Sequence, residues 1–290
     1  MKCLSLISKC LFTIFAAAAF LLLVSCAKKS DNQNPPVATT PPASSPGVPP
    51  AAASPGVPSA ATWQLVWSDE FDSNAVNTSN WNFETGGGGW GNNEQEYYQA
   101  NNATNADGNL VITVKKETVQ NNLYTSARMT TQGKKEFTYG KIEARIKIPS
   151  AQGLWPAFWM LGANINTVNW PACGETDIME HINTDSLIYG TIHWDNNGHA
   201  QYGGNVATAP ADYHIYSIEW DSAAIRWYVD GNKYQEANIL NNINGTDEFH
   251  KPFFIILNYA IGGNWPGQII DDSKLPASML VDYVRVYKKS

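Results

Sequence analysis

Cysteine is nearly missing from the body of this chain: of four, Cys3, Cys10 and Cys26 fall near the start, and Cys173 stands alone after them. A lone thiol excludes a disulfide framework. No histidine stands at a spacing that would make Cys173 a nucleophile, so it is expected to be a buried spectator. Charge is sparse as well, with 16% of residues charged and a formal net charge of −7. Without a basic patch to track a phosphate backbone, nucleic acid is excluded as a partner. Helical periodicity is almost absent; only Glu236 to Ile243 suggests a turn or two of helix.

The one long apolar run, Leu11 to Leu23, follows Lys2 and Lys9 and ends in L-V-S-C, Leu23 to Cys26. It is too short for a transmembrane span and reads as an export signal. Small residues before a cysteine that closes such a run resemble the bacterial lipobox, which implies lipidation at Cys26 and a lipid-anchored protein of the bacterial cell envelope. An ordinary cleaved signal peptide is the alternative. After Cys26, a Pro/Ala/Ser tract containing the repeat S-P-G-V-P cannot bury a core and suits an extended tether. The expected division is therefore residues 1–25 as signal, 26–62 as tether and 63–290 as a single domain.

That domain has a β pattern throughout. Lys141 to Ile148, K-I-E-A-R-I-K-I, places Ile142, Ala144, Ile146 and Ile148 on one face and charged residues on the other, the mark of a half-buried strand. Residues 109–115, 213–220, 225–231 and 279–287 read likewise, with Asp107-Gly108 and Asp230-Gly231 as turns. Phe253 to Ile261 is a nearly unbroken apolar run suited to a strand buried on both faces. Many short strands with little helix predict an all-β sandwich or jelly roll.

Tryptophan is abundant where charge is not, with eleven in the chain. Trp67, Trp81, Trp220 and Trp227 lie in or near strand patterns and are expected to fill the core. Trp155, Trp159, Trp170 and Trp265 are expected to contact ligand. A sugar's apolar C–H face stacks on an indole while amides and carboxylates take its hydroxyls, so loop Trp beside Asn and Glu, as in G-W-G-N-N-E-Q-E-Y-Y (89–98), suits a neutral glycan.

The densest chemistry is G-E-T-D-I-M-E-H-I, 174–182, with Glu175, Asp177 and Glu180 in a strand-like context. Alternation puts the first two on one face and Glu180 on the other. A β-bulge at Ile178-Met179 would return all three to a single surface, as bulges beside active sites do. Two carboxylates suffice for glycoside hydrolysis, one as nucleophile or base and one as acid, and a third between them keeps the acid protonated. A solvated polar face or a calcium cluster is the plainer alternative.

With L-V-W-S-D-E-F-D, Q-E-Y-Y, F-T-Y-G-K-I-E-A-R, G-L-W-P-A-F-W-M-L-G, G-E-T-D-I-M-E-H, G-T-I-H-W and L-N-Y-A-I-G-G-N-W-P-G, the whole domain resembles glycoside hydrolase family 16, laminarinase-like branch. The departure is Thr176, where that family usually has an aliphatic residue. The resemblance implies a concanavalin-like β-jelly-roll and retaining endo-hydrolysis of β-glucan or galactan chains, most simply β-1,3-glucan, without an organic cofactor; a monomer is expected. Mixed-linkage glucan, another polysaccharide, transglycosylation or glycan binding without cleavage are the alternatives. It also implies Glu175 as nucleophile, Glu180 as acid/base and Asp177 as the residue tuning both. Asn92, Glu94, Arg128, Trp155, Trp159, Trp170, His193 and Trp265 become substrate contacts, and Glu70, Gly108 and Asp282 a site for structural calcium.

Overall fold

Residues 62–290 are described by the computed structural model, so the apolar leader, Cys26 and nearly all of the tether lie outside the described residues. The strands in chain order are β1 (Trp63–Asp69), β2 (Asn82–Glu84), β3 (Glu96–Tyr98), β4 (Ala103–Ala106), β5 (Asn109–Val114), β6 (Tyr124–Ser126), β7 (Arg128–Thr130), β8 (Glu136–Phe137) and β9 (Gly140–Lys147). They continue as β10 (Leu154–Gly162), β11 (Glu175–Glu180), β12 (Leu187–Asp195), β13 (His199–Ala207), β14 (His214–Trp220), β15 (Ala224–Val229), β16 (Asn232–Asn238), β17 (Phe253–Ile261) and β18 (Ala277–Lys289).

Two eight-stranded sheets form a jelly-roll sandwich. The back sheet runs β16-β15-β14-β9-β18-β5-β4 with β1 on β18, and the front sheet β13-β12-β11-β10-β17-β7-β2 with β8 on β17. Period-2 patterning fixes which faces meet. Ile142, Ala144 and Ile146 of β9 are fully buried while Lys147 is exposed. In β18 the buried set shifts from Met279 and Val281 to Val284 and Val286, because a register shift between Val281 and Tyr283 inserts Asp282 as an extra residue.

β17 is buried at all nine positions, as its apolar run predicts. Phe253, Ile255, Leu257, Tyr259 and Ile261 face the sandwich core, whereas Phe254 and Ile256 pack with Leu161 and Cys173 in a second cluster under the opposite face. That second face also carries Asn258 and Ala260, which line the front cavity. Cys173 is fully buried, and burial pushes its thiol up to about 11, so it is an inert spectator.

The helix suggested for 236–243 does not form. Glu236 belongs to β16, paired with β15, and Arg226 bridges Asp221 at 2.8 Å and Glu236 at 3.2 Å across that edge. Asn241, Asn242 and Asn244 then take positive φ of 55°, 57° and 55° before short 3-10 turns, a conformation Asn tolerates better than other residues with a Cβ.

Trp81 and Trp227 are fully buried, Trp220 is 3% exposed, and Trp67 packs partly buried against them, as expected of core residues. Trp227 also donates its indole N–H to the Asp177 carbonyl at 2.7 Å, propping β11 from behind. Trp227→Ala is expected to cost about 3–5 kcal/mol. Trp155→Ala should lower kcat/KM with a modest fall in Tm, because Trp155 lines the front cavity. Thermal melts and kinetics of glycan cleavage on the pair check this; the reverse pattern would mean that the two were assigned backwards.

Candidate active site

β11 is where the sequence's three carboxylates are re-aimed. Against β10, Met179 pairs with Phe158 and Asp177 with Trp159, leaving Ile178 unmatched; against β12, Asp177 pairs with Thr191 and Glu180 with Tyr189. One extra residue therefore sits between Asp177 and Glu180, the bulge that the spacing required. Ile178 and Met179 drop into the core, and Glu175, Asp177 and Glu180 line one cavity of about 880 Å³ on the front sheet.

All eight residues expected to touch substrate, Asn92, Glu94, Arg128, Trp155, Trp159, Trp170, His193 and Trp265, line the same cavity. The indoles do more than present flat faces. Trp155 donates to Glu180 Oε1 at 2.9 Å, Trp170 to Glu175 Oε2 at 2.8 Å, and Trp159 to Asn258 Oδ1 at 2.7 Å. Trp265 and Trp170 are 40% and 46% exposed, leaving apolar surface for a sugar face. Arg128 lies against both Trp90 and Trp159, 5.2 and 4.8 Å from the rings, and is ion-paired with Glu84. His193 Nε2 faces Asp177 Oδ2 at 3.3 Å and Glu175 at 4.0 Å.

Burial raises all three carboxyls, because removing an anion from water favours its protonated form. At Glu180, burial and then the charge of Asp177 push the carboxyl well up, with the Trp155 N–H as the main opposing influence. At Glu175, burial and Asp177 push it up to about 8, opposed by His193, the Trp170 N–H and Arg128. Burial takes Asp177 to about 7, opposed by its hydrogen bond with Glu175. The Glu175 side chain retains 18% of its exposure, so water in the cleft screens part of its rise. Glu180 thus keeps a proton most readily, and Glu175, with more donors and positive charge around it, is better suited to being an anion.

A solvated polar face is ruled out by Asp177, only 2% exposed. Glu175, Asp177 and His193 each offer one donor atom within 4.8 Å of the others. Calcium takes six to eight oxygen ligands, so two carboxylates and an imidazole do not suit it. At the expected calcium position in the back sheet, both oxygens of Glu70 accept from Arg285, at 3.0 and 2.7 Å, and Asp282 accepts from Arg145 at 2.6 Å. Both Glu70 oxygens and Asp282 Oδ2 are thus engaged by guanidinium groups, so a cation there would draw on Asp282 Oδ1 and backbone carbonyls such as that of Gly108.

Several lining residues escaped the sequence reading, among them Tyr189, His199, Gln201, Asn205 and Asn258. Asn258 was findable, as the single amide in the apolar run of β17. His199 was not: it reaches His193 only through the β12–β13 hairpin, its Nε2 2.9 Å from His193 Nδ1.

Residues 90–285 match the family model for glycosyl hydrolases family 16. The chain is 42% identical over 247 residues to a beta-glucanase of Rhodothermus marinus, covering 78% of this chain and 85% of that protein. It is 51% identical over 231 residues to the clotting factor G alpha subunit of Tachypleus tridentatus, spanning 78% of this chain but only 34% of the longer relative. Its fold is similar to the catalytic domain of an endo-1,3-beta-glucanase (laminarinase) from Thermotoga petrophila, with a TM-score of 0.76 and 45% identity over 80% of this chain and 100% of that one.

Proposed function

The chain belongs to glycosyl hydrolase family 16, and from that premise we propose that it is a retaining endo-hydrolase of β-glucan, cleaving β-1,3-linked chains. The observation that carries the proposal is the bulge in β11, which collects Glu175, Asp177 and Glu180 into one aromatic-lined cavity. Glu175 attacks the anomeric carbon and forms a glycosyl ester, while Glu180 gives its proton to the departing glycosidic oxygen. Water, deprotonated by Glu180, then resolves the ester on the same face.

Charge is conserved across the first step. Glu175 loses its negative charge to the new ester as Glu180 acquires one, so the cluster's net charge does not change. Asp177, on the same face two residues after Glu175, and His193, 3.3 Å from Asp177 and 4.0 Å from Glu175, adjust to a shift of charge along β11. The low dielectric that makes three separate anions costly also strengthens that adjustment.

A neutral glucan is supported by the lining, in which Arg128 is the sole arginine or lysine. A heavily sulfated polymer would require several cations. The endo-1,3-beta-glucanase (laminarinase) structure at 45% identity supports β-1,3 linkages. Reducing-sugar release from laminarin, mixed-linkage glucan, agarose and carrageenan tests this; preference for agarose or carrageenan would overturn the substrate.

The proposal extends to the chain's amino-terminal end. Lipidation at Cys26, after L-V-S-C, would hold residues 63–290 on the tether at a bacterial membrane. Cys26→Ser should move the protein from the membrane to the soluble fraction and leave laminarin hydrolysis intact. Unmutated protein that takes up no labelled fatty acid would refute the anchor. Calcium at Glu70, Gly108 and Asp282 would be structural and would compete with Arg285 for the Glu70 carboxylate; a Tm unmoved by calcium or by EGTA would eliminate it.

A further inference from the structure

Outside β11 the molecule buries a second pair of acids that hydrolysis does not use directly. Glu96, the first residue of β3, is 0% exposed, and Glu94 is 7% exposed at the cavity wall. Neither forms an ion pair among the described residues. Glu96 Oε2 accepts the Ile261 N–H at 2.7 Å, whereas Oε1 is sealed from solvent with no protein donor. Glu94, two residues earlier in the chain, raises the Glu96 carboxyl through its charge and its side chain. Two carboxylates can share a hydrogen bond only if one brings a proton.

The oxygens of Glu94 already accept from two other groups, Asn92 Nδ2 at 3.1 Å and Tyr98 Oη at 2.9 Å. From Tyr98 the chain of bonds continues inward. Asn258 Nδ2 donates to Tyr98 Oη at 3.1 Å, and Asn258 Oδ1 holds the Trp159 indole. On the other side, Asn92 O accepts from the Asn264 N–H at 2.7 Å, next to Trp265. Glu96 thus ties the 89–98 loop to the end of β17, from which the Trp265 loop departs.

We propose that Glu96 is a positioning residue: a buried, protonated carboxylic acid that donates through Oε1 to Glu94 and accepts from Ile261 through Oε2. It fixes Glu94, Asn92 and the Trp159 network for the glycan. This role rests on the hydrolase reading above, while the proton itself does not. Glutamine is the neutral mimic, since an amide offers one donor and one acceptor in the same places. Burial, followed by the charge of Glu94, favours the acid form, and the other charged or titratable groups facing this pair are Tyr98 and, beyond it, Arg128 of β7.

The proton has a sign that can be measured. A carboxyl raised above its unfolded value of about 4.3 binds a proton in the folded state that the unfolded chain has released, so stability falls as pH rises above that value. Glu96→Gln removes this loss. Its Tm should match the wild type near pH 4 and pull ahead as the pH rises to 8, with kcat/KM on laminarin within about threefold of wild type. Glu96→Leu, which can neither donate to Glu94 nor accept from Ile261, should raise KM about tenfold and leave kcat little changed, because the groups on β11 are untouched. If Glu96→Gln is as impaired as Glu96→Leu, fails to fold, or keeps a constant Tm offset from wild type at every pH, the proposal is wrong. Wild-type protein that cleaves no glucan would instead overturn the hydrolase reading, and the Tm comparison would still report on the proton.

Discussion

Glu175→Ala will abolish laminarin hydrolysis, lowering kcat by about 10,000-fold or more, since no other group in the cluster is placed to form the ester. The loss should come without a loss of stability. Glu175 is one of three buried carboxyls whose pKa values are all raised, so each costs folding free energy as pH climbs through the neutral range. Removing one relieves that repulsion. The variant's Tm at pH 7 should therefore equal or exceed the wild type's, and the gap should shrink toward pH 4, near the unfolded glutamate value of about 4.3, where the raised carboxyl no longer costs stability. Thermal melts across pH, beside initial rates, separate this from simple unfolding: a variant that is inactive because it is unfolded would show no cooperative melt.

Glu180→Ala is expected to fail differently. Hydrolysis of laminarin should fall by about 100- to 10,000-fold, since a sugar alkoxide leaves poorly without a proton donor. An aryl β-glucoside with an acidic phenol needs no such donor, so its glycosylation step should be largely spared and the ester should accumulate. The pH profile provides a second mark. In the wild type, activity on glucan should fall on the alkaline side as the raised Glu180 carboxyl loses its proton. The alkaline limb should vanish in Glu180→Ala assayed on the aryl substrate. Equal losses on both substrates would contradict an acid/base role.

Much of this was written in local pattern. Strict alternation in β9 and the apolar run of β17 gave their faces directly, because side-chain period and burial coincide there. The bulge in β11 was legible from a conflict: three carboxylates useful only on one face, at a spacing that alternation splits. What sequence could not give was anything set by contacts between distant strands. The indole N–H groups of Trp155 and Trp170 reach Glu180 and Glu175 only once β10, β11 and the loop before β11 are assembled. Those bonds bias which acid keeps its proton, and nothing in the spacing foretells them. The 236–243 segment went wrong for a related reason, since cross-strand pairing with β15 outweighed its weak helical pattern.

The stereochemistry of azide rescue tests the central claim, that Glu175 is the nucleophile and Glu180 the acid. In Glu180→Ala the ester on Glu175 still forms from an activated β-glycoside, and azide entering the vacated space attacks it from the opposite face, giving a β-glycosyl azide. In Glu175→Ala no ester can form, and azide displaces the leaving group directly with inversion to the α-glycosyl azide. NMR of the two products reads the roles without reference to rate. The account predicts β from Glu180→Ala and α from Glu175→Ala; the opposite pairing, or unimpaired hydrolysis in either variant, would contradict it.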